Sequence, residues 1–161
     1  MQVAVDSSVL VALLDPRDHW RDRSLALERA LLDAGVTPIY IDCVAAEAVS
    51  AAVRRLHEKG RGAEVPKLLH TPNERVPPKR LTWILPDVPD VYRGALALMR
   101  ASRGELTFND ALIALACRKR TIPTIASFDA DFDTIEWLTR LESPEDVSRA
   151  MMHGRSPTQY T

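Results

Sequence analysis

The chain has 161 residues, 46% of them hydrophobic and 27% charged, with a formal net charge of −1. That length suits one domain, and the composition excludes wholesale disorder while leaving enough apolar material for one full core. Near-neutrality excludes a polybasic coat, yet residues 1–53 sum to −4, residues 54–120 to +7 and residues 121–161 to −4, so a basic middle lies between acidic ends.

No apolar run is long enough to cross a membrane. The first residues carry Asp6 with no basic segment ahead of an apolar stretch, so no signal peptide is expected and the expected compartment is the cytoplasm. Cys43 and Cys117 stand in apolar surroundings and read as buried small hydrophobes.

In chain order, residues 2–6 form a short β-branched apolar run, stopped by Asp6-Ser7-Ser8 and followed by residues 9–14, all apolar: a buried strand, a tight turn and a short helix. Residues 19–34 have amphipathic helical spacing, pairing Leu27 with Leu31 and Leu25 with Leu32 before Gly35. Residues 37–42 read as a second strand. Residues 44–59 read as a helix with a stripe of Val49, Val53 and Leu56 backed by Ala45 and Ala52. Six of the eleven prolines lie between Pro66 and Pro89, so this region is expected to hold one short helix (65–69), a loop through Pro77-Pro78 and a third strand (81–85). Helices over 91–102 and 108–120, strands over 123–127 and 137–141, and a last helix opened by Ser143-Pro144 complete the pattern. The expected architecture is an α/β three-layer α/β/α sandwich around a mostly parallel sheet of about five strands, one domain over residues 1–153 with a loose tail over 154–161. In such sheets ligands bind beyond the carboxyl ends of the strands.

Acids stand at those ends. Asp6 closes the first strand and Asp129 follows the fourth; either alone is more often a turn former or helix cap. Asp110 lies in a helix apolar nearly all round its wheel, where a carboxylate costs several kcal/mol unless it is paired or bound to a metal. Thr107 and Asp110 also have capping-box spacing, and the two accounts are compatible. Glu47 falls opposite the Val49, Val53 and Leu56 stripe, on what reads as the polar face, but in the first turns after a strand. Four acids sharing one pocket repel one another unless cations neutralise them, which implies a divalent metal, and oxygen-only ligands suit Mg2+ or Mn2+ rather than zinc. Phosphodiester hydrolysis is the natural chemistry of such a site.

The run from Val5 to Leu13, Glu47 after the second strand, the run from Leu106 to Ala114, and Ser127-Phe128-Asp129-Ala130-Asp131-Phe132 together resemble a PIN domain, in particular the VapC-type toxins of prokaryotic toxin–antitoxin pairs. The likeness spans residues 3 to about 141. It implies a metal-dependent ribonuclease with Asp6, Glu47, Asp110 and Asp129 as acidic quartet and metal ligands. It also implies RNA as substrate, a homodimer, and a small antitoxin protein as inhibitor. Ser127 stands where the family often has Thr, and Asp131 reads as a turn residue of the same loop. A non-toxin RNA-processing nuclease and a catalytically silent RNA- or protein-binding scaffold are the alternatives. With the quartet set aside as neutralised, the rest of the chain carries +3.

Two basic stretches, Arg54, Arg55, Lys59 and Arg61, and then Arg118-Lys119-Arg120, are candidate phosphate contacts or simply solubilising faces. The four histidines lack the paired spacing of a zinc site. Trp20, Trp83 and Trp137 fall in separate elements and read as core or interface residues rather than a stacking platform for bases.

Overall fold

A computed structural model describes residues 1–153, and the expected tail over 154–161 lies outside the described residues. Five short strands form one sheet: β1 (Gln2–Val5), β2 (Thr37–Ile41), β3 (Leu81–Thr82), β4 (Thr124–Ala126) and β5 (Thr139–Leu141), in the order β3-β2-β1-β4-β5. Every pairing is parallel, so the sheet is wholly rather than mostly parallel. Parallel strands need covered faces. The cover comes from α1 (Ser7–Leu14), α2 (Arg21–Asp33), α3 (Asp42–Glu58), the short α4 (Val65–Leu68) and α5 (Thr71–Arg75), α6 (Val88–Ala101), α7 (Phe108–Lys119) and α8 (Pro144–His153). Helix α1 packs on α3, α2 on α8, and α6 on α7. The result is the α/β/α sandwich read from the sequence.

The core explains the element boundaries. Val3, Ala4 and Val5 of the central strand are buried, and all of α1 from Val9 to Leu14 is buried, so both segments are apolar without alternation. Leu27 and Leu31 of α2 face inward, whereas Leu25 and Leu32 stay exposed. In α3 the buried stripe is Val44, Ala48, Ala52 and Leu56. Val49 and Val53 are only partly buried, so this stripe is rotated from the one the larger side chains pointed to. Cys117 is buried and Cys43 partly so; both are free, and burial pushes both thiols up to about 12, which leaves them unreactive.

The third strand is shorter than the expected 81–85. Asp42, only 5% exposed at the start of α3, accepts the backbone N–H groups of Ile84 (3.1 Å) and Leu85 (3.0 Å). These bonds draw the chain out of the sheet into a 3₁₀ turn over Leu85–Asp87, which runs directly into α6. Asp42 thus reads in sequence as the last residue of a strand but serves as a clamp between β2 and the segment after β3. Asp42→Ala is expected to lower the unfolding free energy by about 2–4 kcal/mol, because two buried N–H groups lose a charged acceptor, and Asp42→Asn by less. Urea unfolding measures both.

Candidate functional site

The strand order reverses direction between β1 and β4, and a crevice at the carboxyl ends of two such strands is where doubly wound sheets bind ligands. The Asp6 N–H donates to the Ala126 carbonyl (3.0 Å) and the Ser127 N–H to the Leu141 carbonyl (3.1 Å), so the ladder carries both strand ends to that rim.

Asp6 is 2% exposed. Its Oδ2 accepts the Ser8 hydroxyl (2.6 Å), the Ser127 hydroxyl (2.8 Å) and the Ser8 N–H (3.2 Å), which also makes Asp6 the N-cap of α1. The two serines tie further groups to the same point: the Phe128 N–H donates to Ser8 Oγ and the Asp129 N–H to Ser127 Oγ, both at 3.0 Å. Asp6 Oδ1 receives no hydrogen bond from the described residues. The sequence reading missed Ser8 as a site residue; its signal was position, two residues after the strand-end acid, where a hydroxyl can return to the carboxylate.

Asp110 lies in the first turn of α7, a helix buried from Asp110 to Ala114. The capping box forms in full: Asp110 Oδ2 accepts the Thr107 N–H (2.8 Å) and hydroxyl (2.6 Å), and the Asp110 N–H donates to Thr107 Oγ1 (3.2 Å). Burial pushes the Asp110 carboxyl above its ordinary value, Thr107 opposes the shift, and the charges of Asp6 and Asp129 add to it. The capping role and the place among the acids therefore coexist in one residue.

Glu47, expected on a solvated face, is partly buried on the flank of α3, and its Oε2 is buried without a hydrogen-bond partner. Burial raises its carboxyl, with the charges of Asp6 and then Asp110 adding to the rise and the Ser7 and Asn109 side chains opposing it. Asp129 is half-buried at the start of a 3₁₀ turn over Ala130–Thr134, and its Oδ1 accepts the Asp131 N–H (2.9 Å). Asp131 makes that turn and lies near both Asp129 and Glu105; burial and those two charges push its carboxyl up.

The structure thus brings the four expected acids into one electrostatic neighbourhood. Among the described residues, no three His, Cys, Asp or Glu side chains are gathered into a ready-made metal cage. The donor set still fits a hard divalent cation: every donor is a carboxylate oxygen, one of them buried and unpartnered, and the charges repel one another as they stand. The basic stretches are largely committed elsewhere. Arg61 pairs with Asp15 and Glu64, Arg55 with Asp18, Lys119 and Arg120 with Asp87, and Arg118 lies over the Trp137 ring.

Fold and site together define an α/β/α domain with an acidic centre at the switch point of its parallel sheet. The chain belongs to the PIN domain family, whose sequence profile matches residues 3–138. PIN domains are in general metal-dependent nucleases, so the domain is of nuclease type. No curated protein and no solved structure matches the chain.

A carboxyl whose value is raised in the folded state costs folding free energy once it ionises; the penalty is complete above the raised value and gone below the ordinary one. Without divalent cations, Glu47→Gln is therefore expected to be more stable than the wild type at about pH 8. The difference closes as pH falls below the ordinary carboxyl value of 4.5. Urea unfolding across pH measures it, and a Gln variant less stable at the alkaline end contradicts the electrostatic account.

Proposed function

We propose that this protein is a metal-dependent endoribonuclease in which Asp6, Glu47, Asp110 and Asp129 hold Mg2+, or Mn2+ in its place, and that it is the toxin of a type II toxin–antitoxin pair. The observation that carries the reading is the buried, unpartnered Oε2 of Glu47 beside two further carboxylates whose charges oppose its ionisation. Such an arrangement is costly in an empty site and favourable around a cation.

The chain's own residues divide the work by oxygen atom. Ser8 and Ser127 occupy Asp6 Oδ2 and Thr107 occupies Asp110 Oδ2, which orients both carboxylates and leaves each Oδ1 without a donor among the described residues. Those two oxygens, Glu47 Oε2 and the Asp129 carboxylate are the proposed ligands. A cation held by these residues would neutralise the cluster and would supply Lewis-acid activation of a water and charge stabilisation at the phosphodiester. Fixing a carboxylate through outer hydroxyls in this way raises cation affinity by about 10- to 100-fold.

The toxin role, the small antitoxin partner and the homodimer rest on the resemblance of the four motifs to VapC-type toxins. A homodimer has further support in the apolar surface left in solvent along Trp83, Leu85, Tyr92 and Leu96. No helix among the described residues is long and apolar enough to cross a membrane, in keeping with action on RNA in the cytoplasm.

Purified protein is expected to cleave single-stranded RNA with Mg2+ or Mn2+, to stop on chelation, and to lose at least about a hundredfold in rate as Asp6→Asn or Asp110→Asn with the fold retained. Cleavage that survives both changes rejects the metal site. RNA binding without turnover under either cation assigns the chain to a silent scaffold. Expression of the wild type but not Asp6→Asn is expected to arrest growth; cleavage without arrest points to a processing nuclease. Sedimentation equilibrium is expected to give a dimer that Leu96→Glu dissociates.

A further inference from the structure

Beside the acids lies an aromatic cluster that the nuclease reading does not use. Trp20, immediately before α2, stacks on Phe128, with ring centroids 5.5 Å apart and planes 27° apart. His19 meets the edge of Trp20 at 5.3 Å. The Arg23 guanidinium lies 5.1 Å from the Trp20 ring centre and 4.7 Å from that of Phe128, held from behind by Glu142, whose carboxylate and carbonyl oxygens accept from it at 2.8 and 3.3 Å. Phe128 follows β4 and Glu142 follows β5, so the cluster sits at the carboxyl rim that carries the acids. Phe128 is joined to the acids twice: its N–H donates to the Ser8 hydroxyl that holds Asp6, and Asp129 is the next residue.

We infer that the Trp20–Phe128–Arg23 stack is a base-binding platform that holds an unpaired nucleotide of the RNA next to the bond to be cut. The inference rests on the proposed nuclease reading for the identity of its ligand and deepens it by naming the side chains that hold an unpaired nucleotide of that strand.

Three observations carry it. Trp20 keeps 42% of its surface in solvent even though Phe128 and Arg23 pack on it, so an aromatic surface remains available beside an acidic centre. Most of the basic stretches that could grip the RNA backbone are engaged elsewhere, since Arg55, Arg61, Lys119 and Arg120 are held in ion pairs. Stacking supplies binding energy that needs no free cation and works with every base, provided the base is unpaired. Arg21, the residue after Trp20 in sequence, donates to the Leu13 carbonyl and forms no ion pair among the described residues.

The test is an abasic scan. A fluorescently labelled oligoribonucleotide is bound to the full chain in chelator, so that it stays intact, and each base is removed in turn. In the wild type, one position, or two adjacent ones, is expected to lose roughly 5- to 150-fold in affinity, the equivalent of about 1–3 kcal/mol per stacked base. Trp20→Ala is expected to bind the intact strand as weakly as the wild type binds the abasic one and to be insensitive to that position, while Trp20→Phe restores part of the loss. A flat scan in the wild type overturns the platform without recourse to any variant. Trp20→Ala binding RNA like the wild type also overturns it and assigns the patch to a protein contact. The cleavage assay separates the two readings: turnover with a flat scan removes the platform and keeps the nuclease, whereas a position-specific scan without turnover under Mg2+ or Mn2+ keeps the platform and removes the nuclease.

Discussion

The burial of Asp6 at the end of the central strand governs how the rest of the rim is built. A carboxylate 2% exposed among apolar strands and helices needs donors, and the chain provides them from two directions, Ser8 at the start of α1 and Ser127 at the end of β4. Meeting that one demand ties the start of α1 to the end of β4 across the β1–β4 crevice. Through the amide bonds of Phe128 and Asp129 to the same serines, it also sets the course of the loop beyond β4. The acidic centre and the aromatic stack beside it are joined through the two serines that satisfy this carboxylate.

The cluster built around Asp6 is destabilising by itself. Glu47 and Asp110 are pushed toward their neutral forms by burial and by their neighbours' charges, and one oxygen of Glu47 finds no donor. Structural carboxylates elsewhere in the chain show the opposite: Asp15 is held below its ordinary value by Arg61, and Asp87 by Lys119 and Arg120. Asp15 and Asp87 are paired with cations, whereas the proposed site acids Glu47 and Asp110 are set against their neighbours' charges. This contrast separates function from architecture in a chain whose net charge is only −1.

Much of the fold was legible in sequence because burial on both faces leaves unbroken apolar runs, as in Val3-Ala4-Val5 and in α7, and because Gly35, with φ +67°, ends a helix as glycine does in the left-handed region. The departures have separate physical causes. Strand β3 ends early because Asp42, forty-two residues upstream, takes the N–H of Ile84, and no local pattern encodes a partner so distant. The α3 stripe is rotated because it runs through Val44 and Ala48 in place of Val49 and Val53, and a small residue such as Ala48 carries a weak hydrophobic signal beside two valines. The same rotation moved Glu47 from a nominal polar face to the flank that meets Asp6 and Asp110.

The sequence by itself determined the layered α/β architecture and marked the four acids as candidates, since strand-end position and motif order are one-dimensional properties. Only the tertiary structure decided that Asp110 caps its helix and joins the acids at once, that most of the basic stretches are spent on Asp15, Asp18 and Asp87, and that Trp20 lies on Phe128 rather than in the core. Each of those is a pairing between residues brought together by the crossing of separate elements. The energy of such a pairing depends on distance and on shared exclusion of water, and neither quantity exists until the chain is folded.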